Sequence, residues 1–268
     1  MHRAALIALA LAACPIATAG SADTPPKPSP ERPLPAEHAE WTRLLRTYVK
    51  PYTDGLNRVD YAAFAASAPD RDALDTYIAG FADKDLSART DASFAAWANL
   101  YNAVTVRHIL ERYPVRSIRD GYLVGPWKDV KVEAGGAEVS LDAIEHKILR
   151  RRWGTPEVHY AINCASYSCP NLPVTAWEAA TLKADLESAA RAYINSPRGV
   201  QVTARGLTLS EIYNWFEADF GGSKAAVIDH LLSYAEPELA AKIRANPKIL
   251  GYQYDWSLND KPKIKKKS

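Results

Sequence analysis

The stretch TDASFAAWANLYNAVTVRHILERYP, residues 90–114, constrains the fold more than any other part of the chain. Phe94, Trp97, Leu100, Tyr101, Val104, His108 and Leu110 return mostly at intervals of three or four. That period predicts a helix with a stripe wide enough for burial over much of its surface. Thr90 or Asp91 supplies a cap, and Pro114 requires the helix to close before it. Asn99 and Asn102 lie three apart and so share one side. A buried amide without partners costs about 1–3 kcal/mol, so these two residues either tie down a neighbouring loop or line a polar site.

Around this helix the chain reads as α+β, several helices packed on a small antiparallel sheet. A helix is expected over residues 37–50, where Trp41, Leu44, Leu45 and Tyr48 recur before Pro51, and another over DRDALDTYIAGFA. WKDVKVEAGGAEVS reads as a hairpin turning at Gly135-Gly136, and SLDAIEHKILRRRW as a helix capped by Ser140. PEVHYAINCA reads as a short apolar strand, and VTAWEAATLKADLESAARAYINS as a long helix. GVQVTARGLTLS gives a second hairpin and SEIYNWFEADFGG a short aromatic packing helix, with Glu217 and Asp219 in solvent. Helical segments follow, and then a last extended piece, KILGYQYDW. There is no βαβ alternation and no internal repeat, so residues 37–259 are expected to form a single domain.

Composition excludes some partners. Of 268 residues, 47% are hydrophobic and 24% charged, which is ordinary for a globular protein. The formal charge of +2 includes five lysines in KPKIKKKS; discounting them turns +2 into −3. No basic stripe argues for nucleic acid, and residues 260–268 read as a solvated basic tail. The start MHRAALIALALAACPIATAG has the basic, apolar and small-residue parts of an export signal. Cleavage after Ala19 gives a soluble secreted or periplasmic protein, whereas Leu11-Ala12-Ala13-Cys14 resembles a lipobox that anchors the chain through Cys14. Pro15 is an awkward neighbour for lipidation, which favours the soluble form. Residues 20–36 are a proline-rich spacer, and no later run is long enough for a transmembrane helix.

Export leaves Cys164 and Cys169 as the cysteines of the folded part, within HYAINCASYSCP, residues 159–170. In an oxidising compartment they are candidates for a disulfide; equally, Cys164 is a candidate reactive thiol. On an ideal strand His159, Ala161 and Asn163 face one way while Tyr160, Ile162 and Cys164 face the other. His159 and Cys164 meet only if the chain bends after Asn163, which Ala165 and Ser166 permit. His159 and His146 are the candidate bases, and Glu145 either orients one or pairs with Arg150 or Arg151. Two cysteines and these histidines match no compact zinc spacing, so no metal and no cofactor are assigned.

FAAWANLYNAVTVRHILERYPVRSIRD, VSLDAIEHKILR, VHYAINCASYSCPNL and LTLSEIYNWFEADFG occur in that order. Together they resemble the bacterial and plant family called domain of unknown function 547, from about Phe94 to Gly221. The pattern carries over to Asn99, Asn102, Glu145, His146, His159, Asn163, Cys164, Ser166, Cys169 and Pro170, and departs from it at Ala98. In layout that family is similar to papain-like and transglutaminase-like cysteine enzymes, although those place the cysteine at the start of the central helix. The resemblance therefore implies an exported cysteine-dependent enzyme for acyl transfer or amide hydrolysis on a peptide-like or thiol-containing small molecule. Cys164 is then the nucleophile, His159 or His146 the base, Glu145 the orienter, and Asn99 or Asn163 an oxyanion donor. Asn102, Ser166 and Cys169 complete the expected binding surface. The competing expectation is a non-catalytic binding module with a Cys164–Cys169 disulfide, and thiol exchange between the two cysteines ranks last.

Overall fold

The computed structural model describes residues 37–262. The expected export signal, Cys14, the expected proline-rich spacer and residues 263–268 lie outside the described residues.

The expected central helix is α4, Asp91–Arg112, and seventeen of its residues are buried. Thr90 caps it by accepting from Ser93 N at 3.1 Å, and Tyr113 turns extended ahead of Pro114. Before it come α1 (Ala39–Tyr48), the strand pair β1 (Val49–Pro51) and β2 (Asn57–Val59), and then α2 (Tyr61–Ala66) and α3 (Ala68–Ala79). Trp41, Leu44, Phe64, Leu74 and Ile78 from these elements pack with Phe94, Leu100 and Val104 in one continuous core. The predicted hairpin is β3 (Lys131–Ala134) and β4 (Ala137–Ser140), paired antiparallel.

After β4 the chain enters a π-helical segment, Ala143–Arg150, continued by α5 (Arg151–Trp153). Ser140 acts as expected, its Oγ accepting from Ala143 N at 3.1 Å. A second core forms where α7 (Leu182–Ile194) meets a three-stranded sheet of β5 (Val200–Thr203), β6 (Gly206–Ser210) and β7 (Ile249–Gln253). The remaining helices here are α8 (Ile212–Trp215), α9 (Lys224–Tyr234) and α10 (Pro237–Ala245), with a 3-10 turn over Glu217–Phe220. β5 and β6 are antiparallel, while β7 joins β6 in parallel. The fold is thus α+β with small, mainly antiparallel sheets. Asp260 and Lys261 stay on the domain: Lys261 N donates to Val59 O and its ammonium meets Asp60 at 2.7 Å. Residues 260 and 261 of the expected tail are thus held on the domain.

One expected strand is a helix. Val158–Ala161 form a turn of helix, α6, with His159 N bonded to Pro156 O and Ala161 N to Glu157 O. A short apolar run does not distinguish a strand from a fully buried helix, and all four side chains here are buried. Val158 and Ala161 belong to the first core and Tyr160 to the second, so the turn is wedged between them. Neighbouring side chains satisfy the polar backbone that follows. Asn102 Nδ2 donates to Ala161 O at 2.9 Å, and Asn102 Oδ1 accepts from Asn163 N at 2.8 Å. One turn earlier on α4, Asn99 makes the same reciprocal pair with Trp177, both bonds at 2.9 Å.

The asparagines therefore tie down loops, and their amides are consumed in doing so. Replacing Asn102 by Ala leaves the buried Asn163 N–H without its acceptor and is expected to cost about 2–4 kcal/mol. Urea unfolding measures this, and a loss below about 1 kcal/mol would show that the pairing is dispensable.

Candidate functional site

Glu145 and His146 project from the π-helical segment, a geometry that is rare and frequent at functional sites. Glu145 is turned inward onto α4, where its Oε2 accepts from Tyr101 OH at 3.2 Å. It forms no close pair with Arg150 or Arg151, contrary to one expectation. Burial raises its carboxyl to about 7, against the opposing effects of the Tyr101 hydrogen bond and the Arg150 charge. His146 stays half-buried, and its Nδ1 lies 3.0 Å from Arg150 NH1. Since Arg150 can only donate, Nδ1 accepts, and the neutral ring carries its proton on Nε2. Burial and the Arg150 charge hold this imidazole below its ordinary pKa.

Arg150 and His159 converge on a residue that sequence reasoning placed in solvent. Asp219 Oδ2 accepts from Arg150 Nε at 2.6 Å and from His159 Nε2 at 2.7 Å; Oδ1 accepts from Arg150 NH2 at 3.1 Å. The His159 hydrogen bond, then Arg150, hold this carboxyl far below the usual carboxylate range. The His159 side chain is only 2% exposed, stacked 4.2 Å from Phe216 and flanked by Phe220. Burial lowers its pKa despite Asp219, so a neutral ring donates to a charged carboxylate. His159 is therefore an anchor between packed rings, not an accessible base. The expected packing role of NWFEADF holds for the two phenylalanines, but Asp219 is the site's charge hub.

The chain does bend after Asn163. Asn163 Oδ1 accepts from Ala165 N at 2.9 Å, and Ala165 takes φ +59°, a left-handed conformation that costs a non-glycine residue of order 1 kcal/mol. The other side of the amide donates to Pro170 O at 2.7 Å. Asn99, Asn102 and Asn163 thus hold backbone, and none presents a free amide to an oxyanion. The bend brings Cys164 and Cys169 together as a disulfide, Cα atoms 6.2 Å apart, rather than Cys164 and a histidine. The polar neighbours of Cys164 Sγ are Tyr254 OH at 3.1 Å and buried Ser166 Oγ at 3.2 Å. Ser166 Oγ also donates to Tyr254 OH, 2.9 Å away.

These groups open onto a cleft of about 380 Å³. Trp127, Trp215, Phe216, Tyr254 and Trp256 form its aromatic wall, and Arg119, Asp142, Glu145, His146 and Cys164 supply its polar groups. His159 and Cys169 also border it, whereas Asn99, Asn102, Asn163 and Ser166 do not. Tyr254 and Trp256 come from the last extended piece and Trp127 from the loop before β3; no local spacing linked them to Cys164. Among the described residues no group of three or more His, Cys, Asp or Glu could hold a metal ion. No helix among them is long and apolar enough to cross a membrane. The cleft can therefore pack an apolar or planar ligand beside one carboxyl that titrates near neutrality and one imidazole N–H.

The Asp219 hub predicts a pH-dependent loss in Asp219→Asn. Its folded-state pKa is depressed, so its contribution is complete above the ordinary value near pH 4 and is lost as pH falls through the folded value. Arg150 and Asp219 side chains are each 25% exposed, so the expected cost at pH 7 is about 1–3 kcal/mol. Urea unfolding at pH 7 and pH 3 should show the gap narrowing at the lower pH; a gap that widens contradicts this.

Comparison with curated proteins finds no match, and comparison with solved structures finds none. Glu145, His146, His159, Cys164 and Cys169 fall within the stretch that a family model does match, while Asp219, Tyr254 and Trp256 fall beyond it. That stretch, residues 85–194, runs from just before α4 to the end of α7 and matches the family described as "Protein of unknown function, DUF547".

Proposed function

We propose that the cleft binds a peptide-like small molecule and transfers protons on it, with Glu145 as general base and then general acid in hydrolysis of an acyl bond. The observation that carries this reading is the Glu145 carboxyl, buried at an aromatic cleft and raised to about 7. Ionised Glu145 takes a proton from water as the water oxygen attacks the acyl carbon. The same proton then passes to the leaving nitrogen as the C–N bond breaks. His146 Nε2–H, set by the Arg150 contact on Nδ1, is the donor for the developing oxyanion. The disulfide shapes one wall of the cleft. A bridge of this kind also agrees with an exported protein, soluble in the periplasm or outside the cell, or anchored through Cys14.

A second reading has Cys164 as the nucleophile of a cysteine enzyme similar in layout to the papain-like group, active only once the bridge is reduced. It is favoured by the position of Cys164, which is half-buried and borders the cleft, while Cys169 is 4% exposed. Against it, the sulfur is bonded to Cys169, and its polar neighbours include neither histidine.

Hydrolysis of N-acetyl-L-phenylalanine, followed as release of phenylalanine between pH 5 and 9, tests both readings. Under the first, the rate rises through about pH 7, as Glu145 ionises, and then levels off. Glu145→Gln then lowers it by about 10²- to 10⁴-fold, and reductant changes little. Undiminished turnover in Glu145→Gln overturns the first reading. Turnover that appears only after reduction and vanishes in Cys164→Ala establishes the second in its place.

A further inference from the structure

Resting on the proposed binding role of the cleft, we infer that its ligand carries one carboxylate, held by Arg119, next to an apolar or aromatic group. Arg119 is the single arginine or lysine among the residues lining the cleft. Its guanidinium carbon sits 4.9 Å from the centre of the Trp256 ring, within cation–π reach. It forms no ion pair and no side-chain hydrogen bond among the described residues, unlike Arg150, whose charge Asp219 consumes. A half-buried guanidinium with its donors unused, beside an aromatic ring in the cleft lining, is suited to bidentate capture of a planar anion.

Charge counting selects the anion. One cation lines the cleft, and Asp142 and Glu145 are the acids that line it. The two acids repel any anion, and a doubly charged phosphate about twice as strongly as a singly charged carboxylate, so the lower charge is favoured beside Arg119. The surroundings select the rest of the ligand. Trp256 packs against Trp127 at 5.7 Å, Trp215 at 5.7 Å and Tyr254 at 4.5 Å, a continuous aromatic surface beside the guanidinium. Val124, also lining the cleft, is 76% exposed, and Trp215 is 45% exposed. Both are apolar surface that a bound side chain would cover. The substrate class is therefore an N-acyl amino acid or the carboxyl end of a short peptide with an apolar last residue.

Quenching of tryptophan fluorescence by N-acetyl-L-phenylalanine, by its neutral amide and by phenyl phosphate tests this on the full chain. The acid is expected to bind at least about tenfold tighter than the amide, and phenyl phosphate more weakly than the acid, as one charge-assisted bidentate contact implies. Arg119→Gln should bring the acid down to about the affinity that the same variant has for the amide, and Arg119→Lys should retain part of the preference. Equal binding of acid and amide by the unaltered protein, or a preference that survives in Arg119→Gln, overturns the assignment while the cleft remains a binding site. Tighter binding of phenyl phosphate overturns the choice of carboxylate. If none of the three probes binds, the binding role of the cleft fails and this assignment with it.

Discussion

Everything around the cleft depends on two amide pairs on the buried face of α4. The backbone at Ala161–Asn163 and at Trp177 crosses the core without a neighbouring strand, so its polar groups need another source of hydrogen bonds. Asn99 and Asn102 provide it, each side chain giving one donor and one acceptor as a strand would. Asparagine is a poor helix former, and a buried one costs more still if left unpaired. The cost is offset because each pair holds a segment that the site needs. Asn102 sets α6, and through it His159 and the bend that carries Cys164; Asn99 holds Trp177, whose Nε1 returns to Ala161 O at 2.9 Å.

From that frame the site divides its charges into a locked set and an available set. Asp219 locks Arg150 and His159, and Arg150 in turn fixes the His146 tautomer. The ring stacking on Phe216 keeps His159 from solvent. Glu145 is the contrasting case: one hydroxyl faces it, and that bond and the Arg150 charge only partly offset its burial. Two acids in one neighbourhood are thus driven to opposite sides of their ordinary pKa, Asp219 by partners and Glu145 by burial. Such a separation is the usual signature of assigned acid–base roles.

Much of this was legible in the sequence where local period governs. α4 and its cap, both hairpins and the helix capped by Ser140 follow from spacing and turn chemistry, whereas the small residues after Asn163 only permit the bend there. What was hidden depended on contacts distant in the chain. VHYA has the composition of a buried strand, and only its position between two cores makes it a turn of helix. Asp219 sits in an aromatic run that reads as packing, and nothing near it in sequence announces His159, sixty residues earlier. Tyr254 meets Cys164 across ninety residues. The expectation that histidine and cysteine would pair failed for a related reason: the bend points Cys164 at Cys169, and Phe216 encloses the histidine.

The central claim is that burial, rather than partnership, tunes Glu145 to work near neutral pH. The most direct measurement is a carbon-13 NMR titration of the glutamate side-chain carboxyls, with Glu145 assigned by its absence in Glu145→Gln. A midpoint near 7 is the predicted result, and a midpoint at the ordinary glutamate value of about 4.5 would contradict the account.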